Sequence, residues 1–199
     1  MFISFEGTEG CGKSTHCKAL ARYLRRKGHR VKLIREPGST KLGDAIRKIL
    51  LSGPFKISAE TETLLYMASR AELVRQVILP ALRRKEVVIS DRWVDATLAY
   101  QGYGSGVDLK WIRQTATVAT ASLVPDITFF LDVPVETGLR RAAKRGRLDR
   151  IEKRALDFHR RVHRGYRQLA ESEKRFHRIV VGAFESTRDR IRKVIDRVV

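Results

Sequence analysis

Residues Gly7-Thr8-Glu9-Gly10-Cys11-Gly12-Lys13-Ser14 read G-x-x-x-x-G-K-[ST], and this pattern constrains the fold more than any other feature. Residue frequencies alone produce such a match in on the order of one per cent of chains of this length. The pattern carries a mechanism. Its glycines let backbone N–H groups point inward around an anion, and the N-terminus of the following helix adds partial positive charge. Lys13 is placed to reach β- and γ-phosphates, and the Ser14 hydroxyl to ligate Mg²⁺. That geometry needs a strand on one side and a helix on the other. The apolar run Phe2–Phe5 precedes the motif, and a helical pattern, Lys13–Lys27, follows it. Gly7, Thr8, Glu9, Gly10, Cys11, Gly12, Lys13, Ser14 and Thr15 are therefore expected to cradle a nucleoside triphosphate. Cys11 reads as a small residue filling a tight slot, and Cys17 as core.

Four more short apolar runs, Val31–Ile34, Val87–Ile89, Ile127–Leu131 and Ile179–Val181, read as strands covered on both faces. Helical patterns cover Lys41–Leu51, Ala59–Arg84, Leu109–Ala121, Val135–Lys144, Ile151–Glu173 and Thr187–Val198. This alternation predicts an α/β fold, a three-layer α/β/α sandwich around a five-stranded parallel sheet. The 199 residues suit one domain, 1–199, and no linker divides them. Gly102-Tyr103-Gly104-Ser105-Gly106 reads as a flexible loop, and the basic stretch around Gly146 as a second mobile piece. Two cysteines give neither a disulfide framework nor a metal-ligand spacing. No apolar run is long enough for a membrane span, and no secretory leader is evident, so the expected location is cytoplasmic.

Formal charge is +19, and residues 140–178 hold 15 Lys or Arg against 5 Asp or Glu. Such a field attracts polyanions. A nucleotide satisfies it; nucleic acid is not required, and weak nonspecific binding is its expected by-product. The run Val87–Ile89 leads into Ser90-Asp91-Arg92-Trp93. Ligands of open α/β sheets sit at the carboxyl ends of strands, so Asp91 is a candidate for the Mg²⁺ shell and Arg92 for a second phosphate. Asp132, after Phe129-Phe130-Leu131, reads as structural. In the 59–84 pattern, Leu64, Met67, Ala68, Ala71, Val74 and Ile78 form an apolar stripe. Tyr66 and Arg70 lie one turn apart on another side, a ring and a guanidinium suited to stacking a base and bonding its edge. The five histidines read as surface residues.

These residues resemble the thymidylate kinase family over nearly the whole chain. The resemblance runs through Phe5-Glu6-Gly7 and the phosphate loop, Arg35-Glu36-Pro37-Gly38, Tyr66 to Arg70, Asp91-Arg92-Trp93 and Ala99-Tyr100-Gln101-Gly102. It continues through Asp126-Ile127-Thr128, Leu131-Asp132-Val133-Pro134 and Arg145-Gly146-Arg147-Leu148-Asp149-Arg150-Ile151-Glu152. It implies a P-loop kinase that uses MgATP to convert dTMP to dTDP in dTTP biosynthesis, working as a homodimer. The phosphate loop lacks an Arg and the lid, about 142–152, is Arg-rich, as in the bacterial branch. Carried over residue by residue, Lys13, Arg92, Asp91, Arg147 and Arg150 would be catalytic. Arg145, Arg147 and Arg150 would close over the ATP phosphates, and Ser14 and Asp91 would hold Mg²⁺ directly or through water. For dTMP, Glu9 would contact the 3′-hydroxyl, Arg35 and Arg92 the phosphate, and Tyr66 would stack on thymine where the family usually has Phe. Arg70 would bond O4, Thr97 and Gln101 would flank the base, and Tyr100 would pack under the sugar and disfavour a 2′-hydroxyl. Val181-Gly182-Ala183 departs from the family, which usually has an Asp there. The rival readings are another nucleoside monophosphate or deoxynucleoside kinase, and an ATP-regulated nucleic-acid-binding module.

Overall fold

The computed structural model describes residues 1–146 and 148–199. Its sheet is parallel throughout, in the order β2-β3-β1-β4-β5. The strands are β1 Phe2–Glu6, β2 Val31–Arg35, β3 Val87–Asp91, β4 Ile127–Asp132 and β5 Phe176–Val180. The three central strands are buried at every position, whereas edge strands β2 and β5 are only partly buried. The period-2 alternation of side chains divides the core. Ile3, Phe5, Ile89, Phe129 and Leu131 pack on one face with Leu20 and Leu24 of α1 (Lys13–Arg26) and Ile191 and Ile195 of α9 (Phe184–Ile195). Phe2, Val88 and Phe130 point to the other face. That face is covered by α3 (Ala59–Leu73), α6 (Leu109–Thr120) and α8 (Leu156–Ser172). Each fully buried Leu, Ile or Phe contributes about 1.5–3 kcal/mol of apolar transfer. β1 and β3 are neighbours whose connections leave in opposite directions, so a crevice opens at their carboxyl ends.

Several helices start where a side chain satisfies an orphan amide. Thr40 accepts from Gly43 N–H at the head of α2 (Lys41–Ser52), Ser58 from Thr61 N–H at α3, and Asp108 from Trp111 N–H at α6. No side chain caps α1, whose N-cap is Gly12 at φ 94°. Its first amides remain free to face the crevice.

The five-stranded sheet and its two helical layers match the sequence expectation, and local features depart from it. The 59–84 pattern is three pieces: α3, a π-helical Val74–Ile78 and α4 (Leu79–Arg83). The wide turn precedes Pro80, which has no N–H to donate to the preceding turn. Within α3 the expected stripe is only partly inward, because Leu64 and Ala68 face out while Glu62, Thr63, Ser69 and Arg70 are buried. The expected glycine loop is instead the end of a π-helical Leu98–Gly104 that continues α5 (Val94–Thr97). A Cβ on Gly104 would stand 2.6 Å from Phe158, so the glycine permits the close approach of α8. β5 begins at Phe176 rather than Ile179, α8 at Leu156 rather than Ile151, and α9 at Phe184 rather than Thr187. β5 starts early because its pairing with β4 runs from Thr128 opposite Phe176, just after Arg175, which forms a two-pronged pair with Asp95 at 2.8 Å for each prong. Two of the expected surface histidines, His16 and His159, are buried. Asp132 is structural, held by His163 at 2.6 Å and Arg178 at 2.7 Å.

Candidate active site

The phosphate loop joins β1 to α1 over the crevice. Gly10 has φ 64°, and a Cβ there would come within 2.0 Å of the Gly138 carbonyl. Gly138 lies in α7 (Val135–Ala143), so only glycine lets the loop pass under that helix. Lys13 Nζ lies at the loop's centre, donating to Gly7 O at 2.9 Å and Thr8 O at 2.8 Å. Cys11 Sγ is 3.4 Å from Nζ, and the side chain fills a buried slot as expected. Cys17 is core, and burial raises its thiol pKa well above the ordinary value. Ser14 Oγ donates to Asp91 Oδ2 at the end of β3. A hydroxyl and a carboxylate are hard oxygen donors, the set that Mg²⁺ prefers.

Beyond Asp91 the backbone turns sharply. Arg92 has φ 80°, a left-handed conformation that a long side chain adopts only when its surroundings enforce it. Ser90 Oγ donates to Arg92 O at 2.5 Å, and Trp93 N–H donates to Glu6 Oε1 at 2.6 Å. The turn throws the Arg92 guanidinium back over β1. Its Nη2 donates to both Glu9 oxygens, at 3.0 and 3.1 Å, and it lies 4.9 Å from the centre of the Tyr100 ring. Tyr100 OH donates to Glu9 Oε1 at 2.5 Å. Burial pushes the Glu9 pKa up, but Arg92, Lys13 and the Tyr100 hydroxyl outweigh it and hold the carboxyl at about 2. Glu6, one strand residue before the loop, goes the other way. Burial and the Asp95 charge raise it to about 8, against Arg92, the Tyr166 hydroxyl and Lys13.

A cleft of about 480 Å³ extends from the loop toward α3. Glu9, Gly10, Gly12, Lys13, Ser14, Thr15, Asp91 and Arg92 line its donor end, and Arg35, Tyr66, Arg70, Thr97, Tyr100 and Gln101 its far end. The residues expected from dispersed parts of the chain thus meet in one space. Arg70 is buried under that end. Its Nε donates to Glu36 Oε2 at 2.7 Å, and its other nitrogens reach Thr97 Oγ1 at 3.3 Å and Trp93 O at 3.2 Å. Burial raises the Glu36 carboxyl pKa despite the Arg70 charge, and its Oε1 has no partner among the described residues. Tyr66 borders the cleft, and burial raises its hydroxyl pKa.

Other expected residues lie elsewhere. Gly7, Thr8 and Cys11 stand behind the cleft wall, where the first two serve Lys13 through their carbonyls. Arg145 lines the cleft and pairs with Glu152 at 2.7 Å. Arg150, expected over the phosphates, is turned away: its Nε donates to Leu50 O at 2.7 Å and its Nη2 pairs with the buried Glu62. Arg147 lies outside the described residues. Sequence reasoning assigned no role to Arg47, Glu62, Arg141 or Glu36, the last noted only within Arg35-Glu36-Pro37-Gly38. Glu36, Arg47 and Arg141 line the cleft, and Arg47 is tied to Pro37 O at 3.0 Å. Glu62 was within reach of the i, i+4 argument, since Glu62, Tyr66 and Arg70 follow one another at single turns on α3. No spacing in the sequence points to the other three.

The sequence profile of the family described as Thymidylate kinase matches residues 5–191. A thymidylate kinase of Syntrophus aciditrophicus (strain SB) is 49% identical over 190 residues, spanning 92% of this chain and 87% of the relative. One from Kosmotoga olearia (strain ATCC BAA-1733 / DSM 21960 / TBF 19.5.1) is 45% identical over 173 residues, 87% of this chain and 83% of that one. The crystal structure of thymidylate kinase from Ehrlichia chaffeensis superposes with a TM-score of 0.83 at 33% identity, covering 98% of both chains. A phosphate-loop motif at the head of α1 and a buried guanidinium beneath the far end of the same cleft agree with these likenesses, and the chain belongs to the thymidylate kinase family.

Proposed function

We propose that this chain transfers the γ-phosphoryl group of ATP to dTMP, forming dTDP for dTTP synthesis. The observation that carries this reading is the single cleft in which the Lys13 loop faces Tyr66, Arg70, Thr97 and Gln101. The acceptor is a phosphate monoester, anionic at neutral pH, so it needs no general base. No histidine among the described residues lines the cleft. The obstacle is repulsion between two anions, and catalysis is positioning plus charge neutralisation.

Lys13 exchanges the Gly7 and Thr8 carbonyls for β- and γ-phosphate oxygens. The uncapped α1 amides, with Gly10, Gly12 and Thr15, hold the donor phosphates. Ser14 and Asp91 would hold Mg²⁺, which would neutralise charge on the phosphate oxygens. Arg92 and Arg35 hold the acceptor phosphate, and Arg145 and Arg147 bring positive charge from the lid at 142–152. Glu9, ionised at neutral pH, accepts from the sugar 3′-hydroxyl while orienting Arg92 and Tyr100. Tyr66 stacks on thymine, and Arg70 donates to its O4.

The whole chain acts as one catalytic domain. α3 and α6 pack together and leave Leu64 and Val118 exposed, which supports a homodimer through these helices. No helix of the described residues is long and apolar enough to cross a membrane, in keeping with a cytoplasmic enzyme. The test is phosphoryl transfer from radiolabelled MgATP to a panel of nucleoside monophosphates. Transfer to dTMP far above dCMP, dGMP and dAMP is expected. A different preferred acceptor, or salt-dependent DNA binding without transfer, overturns the reading.

A further inference from the structure

Behind the acceptor end of the cleft lies an anion with no place in the chemistry above. Glu62 has no exposed surface and does not line the cleft. Three side chains from two segments converge on its carboxylate. Gln101 Nε2, from the π-helical segment, donates to Oε1 at 2.7 Å. Arg150 and Arg154, from the chain between α7 and α8, both reach Oε2, Arg154 at 3.2 Å. Arg154 also donates to Ser105 Oγ at 2.8 Å, and Ser105 donates to Tyr100 O at 3.2 Å, so the same cation fastens the segment carrying Gln101.

The chemical consequence concerns a side chain whose two ends differ. A glutamine amide presents either an NH₂ donor or a carbonyl acceptor, and the hydrogen-bond network decides which. A buried carboxylate beside two guanidinium groups is an acceptor only. It captures the NH₂ and leaves Gln101 Oε1 as the atom available to the cleft. Among the described residues, no donor reaches Oε1. The base pocket then offers donors from Arg70 and an acceptor from Gln101. That is the complement of a pyrimidine edge with a carbonyl at C4 and N–H at N3. Cytosine carries an amine at C4 and a bare N3, so it meets the Gln101 oxygen with a lone pair.

We propose that Glu62 is a positioning residue that sets acceptor-base selectivity, by locking the Gln101 amide with its oxygen toward the base, with Arg150 and Arg154 holding the carboxylate in place. This rests on the dTMP-kinase reading and deepens it. It also gives the lid arginine Arg150 a role other than binding ATP.

The test is a double-mutant cycle on the dTMP-to-dCMP ratio of kcat/KM. Glu62→Gln removes the acceptor-only lock, and the ratio is expected to fall about 10- to 100-fold, matching the loss of one well-formed base contact. Gln101→Leu should lower it by a similar factor, and the double variant should be no less selective than Gln101→Leu alone. A purely structural role for Glu62 predicts additive losses, or lost stability with the ratio intact, and either result overturns the proposal. If Glu62→Gln does not fold, the wild-type chain decides. Its Gln101 side-chain NH₂ resonances, identified by their absence in Gln101→Leu, should resist solvent exchange and stay in place when dTMP is added. Rapid exchange, or a large shift on adding dTMP, overturns it. Wild-type enzyme that does not prefer dTMP over dCMP would instead defeat the function itself.

Discussion

The two ends of the cleft are built by different means. The donor end is built around one contiguous stretch, Gly7–Thr15, joined by Asp91 from the end of β3, and works chiefly through backbone: left-handed glycines, free helix amides, and carbonyls that hold Lys13. The acceptor end draws on β2, α3, the turn after β3 and the π-helical segment. It works through buried side chains in ionic networks: Arg70–Glu36, Arg92–Glu9 and Arg150–Glu62. A phosphate is a symmetric anion that convergent N–H groups recognise without reading a pattern. A base edge has an ordered set of donors and acceptors, and matching it takes groups fixed in direction. Fixing them takes buried charge, and each buried carboxylate needs its partner, since breaking such a pair costs about 3–5 kcal/mol.

The sharpest way to break this contrast is Lys13→Ala. Turnover is expected to fall about 10²–10³-fold, the scale for loss of one charged donor to a transition state. Calorimetric dTMP affinity should move little; an equal loss of both would merge the two ends functionally. Arg70→Met is the counterpart. It should lower the preference for dTMP over dCMP by about 10–100-fold, read from kcat/KM, with ATP KM nearly constant. An unchanged preference would remove Arg70 from base reading.

A pH effect separates Glu6 from Glu9. The folded Glu6 pKa, about 8, lies above the ordinary 4.5, so the native state holds a proton the unfolded chain has lost. The stability Glu6 contributes is whole below about 4.5 and is lost as pH rises toward 8. Glu6→Gln should therefore gain on wild type in Tm between pH 5 and 8, by roughly 2–4 °C for each kcal/mol at this chain length. Glu9, held at about 2, contributes stability above 4.5 that is lost as pH falls from there toward 2. A Glu6→Gln melting curve parallel to wild type across that range would place Glu6 among ionised residues. The smallest effect expected is from Asp108→Ala, outside both ends. It removes the α6 cap for about 1 kcal/mol of stability and leaves both substrates' KM values in place.

Legibility followed the same division. The phosphate loop could be read because its function is local: nine consecutive residues, running from an apolar strand into the first turn of a helix, carry the phosphate cradle. The central strands could be read because burial on both faces leaves unbroken apolar runs. Tyr66 and Arg70 could be associated because a helix places residues one turn apart side by side. Arg150 could not be located, because its charge suits a phosphate as well as a carboxylate, and only the fold brings Glu62 within reach. The glycine run at 102–106 looked like a loop because glycine marks turns and close packing alike, and nothing local shows that Phe158 waits across from Gly104.

Sequence alone determined the layered α/β architecture and the donor cradle, since these depend on periodicity and on groups adjacent in the chain; beyond Tyr66, Arg70 and Arg92, the acceptor pocket was legible only through the family resemblance. Tertiary structure decided which cation serves which anion, which carboxyl keeps its proton and which end of an amide faces the substrate. Those are settled by burial and by contacts between residues far apart in the chain, such as Tyr166 and Glu6, 160 positions apart, and such contacts exist only once the chain has folded.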